Sequence, residues 1–168
     1  VGSWTKTFGT STYLWKTKEA DLASIIAENS LPISSVFRKK CWQQVKGYDT
    51  KMSGYQDWDF WISIIEKGWN TKIIPKPLFC YRIRPNSMVA DSNKKRRQLI
   101  EYILKKHSKA VSQFAPQIIL KKVDIVVRSN DQIAIMKTHI NDIEIYNREL
   151  KKENTKLLRS HSRLSSIE

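Results

Sequence analysis

The chain has 168 residues, with 30 Lys and Arg against 16 Asp and Glu for a net charge of +14, and 40% of its residues are hydrophobic. That length fits about one ordinary domain, and the balance of apolar and charged residues excludes whole-chain disorder. Apolar runs such as Ile118–Leu120 and Ile125–Val127 fall far short of the ~20 residues needed to span a bilayer.

In chain order, Glu19–Glu28 places Leu22, Ile25 and Ile26 at helical spacing, and Asn29-Ser30-Leu31-Pro32 ends it, because the residue before proline avoids the helical region. Ser34–Arg38 reads as a short strand, and Lys39–Val45 as a short helix stopped by Gly47. Asp57–Lys67 carries Trp58, Trp61, Ile62 and Ile65 at i, i+3, i+4 and i+7, with Gly68 as a C-terminal cap. Thr71–Ile74 and Leu78–Ile83 are β-type runs separated by Pro75 and Pro77, which assigns them to edge or terminal strands. All six tryptophans and all five glycines precede residue 70, so the composition shifts toward long helices and a boundary falls at Val89–Ser92.

The second half opens with Asp91 or Ser92 as an N-cap, followed by Leu99, Ile100, Ile103 and Leu104 on one helix face; Phe114-Ala115-Pro116 interrupts it. From Ile133 a seven-residue period emerges. Met136, Ile143, Leu150, Leu157 and Leu164 occupy d, while Ile133, Ile140, Asn147, Asn154 and His161 occupy a. Asparagine at successive a sites favours a parallel two-stranded pairing, so the expectation is a parallel homodimer through residues 133–164. A single amphipathic helix lying on the globular half is the alternative. The expected organisation is α/β structure over 1–90, a helical extension over 91–130, and a coiled-coil or amphipathic helix over 131–168.

Residues 1–90 carry 13 basic and 7 acidic residues, and residues 91–168 carry 17 and 9, so the positive excess is spread out. A dispersed positive field suits nucleic acid, anionic lipid or phosphate-bearing substrates about equally. Cys41 and Cys80 are too few for a disulfide framework, which points to a reducing compartment and to both as small buried hydrophobes. Residues 1–30 show no basic segment followed by an apolar one, so no export leader is read, and a cytoplasmic location follows.

The most informative stretch runs through Gly47-Tyr48-Asp49, Gln56-Asp57-Trp58-Asp59-Phe60-Trp61, Gly68-Trp69, and Tyr81-Arg82-Ile83-Arg84-Pro85-Asn86-Ser87. Asp57 falls at a helix start, where free backbone N–H groups and the helix dipole favour an ionised, proton-accepting carboxylate. Asp57 and Asp59 point roughly 200° apart on a helix, so they are not a close acid/base pair, and one of them is structural. His107, His139 and His161 lie too far apart in sequence for a local metal motif.

Together with Asn29-Ser30-Leu31-Pro32-Ile33-Ser34-Ser35-Val36-Phe37-Arg38, these segments resemble the C-terminal half of the catalytic domain of family 2, GT-A type, inverting glycosyltransferases, over about residues 20–90. The resemblance implies part of a GT-A-like fold that moves a sugar from a nucleotide-sugar donor to a saccharide or lipid-linked acceptor, in surface polysaccharide synthesis. It gives Asp57 the role of general base and Gln56 and Trp58 the acceptor side; the apolar stripe makes Trp58 a core residue as well. Arg38, Arg82 and Arg84 fall on the diphosphate side, although solvated surface is the default for an arginine. Inversion needs one in-line attack assisted by a base, with cations offsetting the charge that develops on the leaving diphosphate.

The chain departs from the family pattern at three points. Gln56 replaces a glutamate, Arg84 stands where many members have histidine, and no Asp-X-Asp occurs other than Asp57-Trp58-Asp59. A divalent metal, Mg or Mn, is therefore expected for the complete enzyme, with ligands mainly outside this chain and none bound by this chain alone. Residues 1–19 resemble the stretch that follows the family's metal motif, so the chain reads as a fragment inactive by itself.

Two other classes compete. An inactive interaction module would dimerise through the heptads and assemble other enzymes at an anionic cytoplasmic membrane face. A nucleic-acid-binding protein would use Lys94–Arg97, Lys105–Lys106 and Lys121–Lys122, but a basic zipper needs a dense basic region directly before its heptads, and Asp124 and Asp131 interrupt that stretch. Nucleic acid is not favoured.

Overall fold

A computed structural model describes residues 1–164, with side chains through residue 156. Three strands form one mixed sheet in the order β2-β1-β3. They are β1 (Gly2–Gly9), β2 (Leu14–Trp15) and β3 (Ile73–Ile83). Between β2 and β3 lie α1 (Leu22–Ala27), α2 (Lys39–Val45) and α3 (Gln56–Glu66). After β3 come α4 (Met88–Lys94), α5 (Arg96–Lys106), α6 (Ser108–Gln113) and α7 (Ala115–Leu164). Residues Val1–Lys122 form one compact unit, and a second begins at Val123 within α7. α/β structure followed by helices is thus the observed class. No helix among the described residues is long and apolar enough to cross a membrane.

The central strand, β1, carries no aliphatic alternation. Its inward residues include Thr5 and Thr7, each 1% exposed, and Thr7 is satisfied by donating to Tyr13 O and accepting from Tyr13 N at 2.8 Å. β3 runs parallel to β1 as one continuous edge strand, not two runs. Its register jumps from Ser3↔Ile74 to Trp4↔Pro77, and this irregularity takes Pro75 out of the ladder, where its missing N–H costs no bond. Ser34–Arg38 is not a strand. It is an irregular segment in which Val36 N–H donates to Val1 O at 2.8 Å.

α1 is shorter than its apolar spacing suggested, because Asp21 caps it: Ser24 N–H donates to Asp21 Oδ1 at 2.7 Å while Asp21 N–H donates to Ser24 Oγ at 2.9 Å. Each partner satisfies a donor that the helix end leaves free. α2 ends at left-handed Lys46, followed by Gly47 at φ 78°. A Cβ on Gly47 would press into the Trp42 ring. α3 starts one residue earlier than its stripe, after Tyr55 in the left-handed conformation. The helix that follows β3 is capped by Ser87, which accepts from Ala90 N–H at 3.3 Å, and not by Asp91 or Ser92, which lie inside it. Pro116 falls in the first turn of α7, where its missing N–H is tolerated.

The core forms around α3. Trp58, Phe60, Trp61, Ile62 and Ile64 are buried on it, and they meet Ile25 and Ile26 of α1 and Cys41 of α2. Phe60, fully buried, has the rings of Tyr48, Phe37, Trp61 and Trp42 at 4.8, 4.9, 5.2 and 5.5 Å. Cys41 is buried as expected, whereas Cys80 is exposed on the edge strand.

A polar network ties α5 and α6 to α3. Asp59 is 1% exposed and His107 4%. His107 Nε2 lies 3.0 Å from Asp59 Oδ1, and its Nδ1 lies 2.8 Å from Glu66 Oε2. Lys106 Nζ donates to Asp59 Oδ2 and to Asp49 Oδ2, both at 2.8 Å, and Tyr102 OH donates to Asp49 Oδ2 at 3.1 Å. With a carboxylate at each ring nitrogen, His107 must donate twice, which requires the imidazolium. Burial pushes its pKa down, but the bonds to Asp59 and Glu66 outweigh this, so it is held above the ordinary value of 6.5.

The sign of the pH dependence follows. A group whose folded pKa is raised gives its full stabilisation below the unfolded value, near 6.5, and loses it as pH rises through the folded value. The melting temperature should therefore fall as pH rises from about 6 to about 9, and His107→Gln should flatten that slope in thermal unfolding followed by circular dichroism. Asp59→Asn should lower the melting temperature, because it removes the one buried carboxylate of the network and leaves His107 with Glu66 alone and Lys106 with Asp49 alone.

Candidate active site

The start of α3 is built from the Gly47–Asp49 and Gln56–Trp61 segments. Gly54 leads into it and packs so closely on Ser92 of α4 that a Cβ would overlap that side chain. Tyr55, held left-handed at φ 59°, donates from its hydroxyl to Asn93 Oδ1 at 2.7 Å. These contacts anchor the start of α3 to α4, the helix that follows the carboxyl end of β3.

Asp57 is half-buried in the first turn of α3, after Gln56. It is not the capping residue, which is Tyr55. Its Oδ1 accepts from Trp58 N–H at 2.9 Å, and its Oδ2 lies 3.4 Å from Asn29 Nδ2. The carbonyl oxygen Oδ1 of Asn29 is buried with no donor among the described residues. Tyr48 stands close enough to respond to Asp57: partial burial, then the Asp57 charge, push its phenol above the usual value. Asp57 therefore has a carboxamide and a backbone N–H as its direct neighbours, away from the His107 network that holds Asp59. Asp59 is the structural aspartate of the two.

The other sequence-predicted residues divide by location. Gln56 is half-buried, and its Nε2 donates to Met52 O at 2.7 Å. Trp58 is 4% exposed and its indole N–H donates to Ile25 O; this side chain is committed to packing, which leaves Gln56 as the half-buried sequence neighbour of Asp57. Arg82 lies on β3 with its guanidinium 5.2 Å from the Phe8 ring, and Arg84 follows the strand; both are exposed. They occupy the carboxyl ends of the parallel pair, the side on which open α/β sheets place ligands.

Arg38 is elsewhere. It lines a cavity of about 250 Å³ together with Gly2 and Lys72, at the amino ends of β1 and β3, and with Trp61 and Ile65 of α3. Gly2 pairs with Ile73 and Phe8 with Arg82; the six residue steps from Gly2 to Phe8 span ~20 Å of strand. Arg38 and Arg82 therefore do not form one cationic group, and this cavity does not contain Asp57.

Sequence reasoning missed Asn29 as a neighbour of Asp57, and it missed the whole His107 network. The spacing of Asp59 and Glu66, two turns apart on one helix face, was the available signal. Lys106, read as part of a basic cluster, is engaged by two carboxylates. Among the described residues no group of three or more His, Cys, Asp or Glu side chains is arranged to hold a metal ion, and the shell of Asp57 contains one carboxylate. This donor set does not fit a divalent metal, so no step below is routed through one.

No family model, curated protein or solved structure matches the chain.

Asp57→Asn should lower the pKa of Tyr48 part of the way to the ordinary phenol value, because the charge contribution goes while the burial contribution stays. Ultraviolet titration of the phenolate, with Tyr48→Phe identifying the signal, measures this. An unchanged Tyr48 titration would separate the two groups.

Proposed function

We propose that residues 1–90 are the acceptor-side half of an inverting, family 2, GT-A type glycosyltransferase domain, with Asp57 as general base. The observation that carries this reading is the half-buried Asp57 carboxylate at the start of α3, flanked by Asn29 Oδ1, a buried acceptor without a donor. An acceptor hydroxyl beside Asp57 would donate its proton to the carboxylate as its oxygen attacks the anomeric carbon. The bond to the nucleoside diphosphate breaks on the opposite face, and the configuration inverts. A second acceptor hydroxyl would satisfy Asn29 Oδ1, and Gln56 lies on the same side. Arg82 and Arg84, at the carboxyl end of β3, would meet the diphosphate charge. The acceptor is a saccharide or lipid-linked saccharide, and the setting is surface polysaccharide synthesis at the cytoplasmic face of a membrane.

In a protein that joins this chain to a nucleotide-binding half, Asp57→Asn should lower turnover by ~10²–10⁴ with donor binding nearly intact, the range for losing a general base. Retained turnover would remove Asp57 from the chemistry and favour the inactive interaction module.

We also propose that α7 pairs in parallel with a second copy. Ile133, Met136, Ile140 and Ile143 are 49–62% exposed within this chain, which leaves the predicted seam without a cover. Asn147 and Asn154 are exposed in the same register, and they would meet their counterparts across a parallel pair. The side chains of Leu157, His161 and Leu164 lie outside the described residues. The chain should sediment as a dimer at micromolar concentration, and Ile143→Lys with Leu150→Lys should give monomers whose first unit remains folded. A monomeric unmodified chain would overturn the pairing.

A further inference from the structure

We propose that the cavity between α3 and the amino ends of β1 and β3 binds a single-chain amphiphile with an anionic head. The inference concerns what this cavity holds and stands apart from the glycosyl-transfer reading.

Three observations define the ligand. First, the wall is apolar and aromatic, formed by Leu31, Phe37, Cys41, Trp61, Ile64 and Ile65. The volume of about 250 Å³ has room for about eight groups the size of a water molecule, each taking ~30 Å³. Second, two of the lining residues carry buried polar atoms that have no partner among the described residues: Trp61 Nε1, on a side chain 4% exposed, and Ser35 Oγ. An indole N–H is a donor only, so it calls for an acceptor atom. Third, the exposed cations Arg38 and Lys72 line the same cavity. Lys72 is shared with Glu19 at 3.2 Å, in an exposed pair, whereas Arg38 has no carboxylate partner among the described residues.

Two further polar side chains of the wall are already satisfied, and this narrows the candidate ligands. Trp69 Nε1 donates to Gln44 Oε1 at 2.7 Å, and Thr71 Oγ1 both donates to Ala20 O at 3.0 Å and accepts from Ala20 N–H at 2.8 Å. A sugar ring carries several hydroxyls, each needing partners, and would leave most of them unpaired against this wall. An apolar chain needs none. Its acidic head supplies the acceptor oxygens that Trp61, Ser35 and Arg38 lack, with Arg38 contributing charge-assisted bonds. The head is a carboxylate, as in a fatty acid, or a phosphate, as in a lipid phosphate.

The test titrates the whole chain with decanoate, decyl phosphate, neutral decanol and methyl glucoside, each below its aggregation concentration, by calorimetry and tryptophan emission. One anionic amphiphile should bind per chain and shift the emission, since Trp61 and Trp69 line the cavity. Decanol should bind at least about tenfold more weakly, the loss of one charge-assisted contact. Ile65→Trp, which fills the cavity, should abolish binding. Arg38→Gln, at an exposed position, should weaken it several-fold while leaving the melting temperature near that of the parent, and Trp61→Phe, a core truncation that lowers the melting temperature, should weaken it several-fold when measured well below its own transition. A preference for decyl phosphate or for decanoate names the source of the head. Absence of saturable binding, equal binding to Ile65→Trp and Arg38→Gln, or binding of methyl glucoside in place of the amphiphiles would overturn the proposal.

Discussion

The orientation of α3, and with it the placement of Asp57, follows from the burial of one carboxylate. Asp59 faces inward on α3 and is held by His107 and Lys106, so the helix cannot rotate without stranding those charges. An arrangement that removed one partner would cost roughly 3–5 kcal/mol, a large share of the 5–15 kcal/mol that stabilises an ordinary domain. Asp57 lies two residues earlier and about 200° around the helix. Fixing Asp59 in the core therefore turns Asp57 away from it, toward Asn29 and Tyr48. The same rotation buries Trp58 against Ile25 and brings Trp61 to the cavity. The network also reaches Asp49 through Lys106, so Tyr48, the residue that senses Asp57, is held by its immediate neighbour. A change at His107 would thus be felt at Asp57 through the orientation of α3.

α3 joins two chemically different places. Its start is tied to α4 through Tyr55 and Gly54, and there the distinguishing groups are the half-buried Asp57 carboxylate and the buried, unpaired carboxamide oxygen of Asn29. Its second half, from Trp61 onward, lines a wall with few open polar groups. Trp61 follows Asp57 by four residues, about 6 Å along the axis and on nearly the same face. A molecule with a hydroxylated end and an apolar end could address both places. Each place is nonetheless defined by its own unpaired atoms, Asn29 Oδ1 in one and Trp61 Nε1 and Ser35 Oγ in the other.

What was legible in the sequence was whatever depends on contacts close along the chain. α2 was read with its observed limits, and α3 to within a residue, because an apolar stripe and a glycine stop are local. β1 was invisible because Thr5 and Thr7, not aliphatic residues, fill its inward face, and because its partner β3 lies some seventy residues away. β3 read as two runs because prolines normally break a ladder, and only the register jump beside β1 lets one strand carry both. Asp57 could be singled out from its place at a helix start. Asn29, 28 residues away, could not, since nothing local marks an amide as its neighbour. The division of Arg38 from Arg82 and Arg84 was equally hidden, because it depends on which end of a parallel pair each residue reaches.

The net charge of +14 acts on encounter more than on recognition. Lys106 is engaged inside the network, Lys94 pairs with Asp91, and Arg97 pairs with Glu101. The exposed pairs contribute little to stability, with a median of about 0–1 kcal/mol, but each interrupts the cluster that a phosphate backbone would need. What remains is a diffuse positive field that raises the local concentration of any anion without selecting one. Selection has to come from geometry. Arg38 qualifies because it stands at a cavity with an unpaired indole N–H, and Arg82 and Arg84 because they stand at the carboxyl ends of two parallel strands.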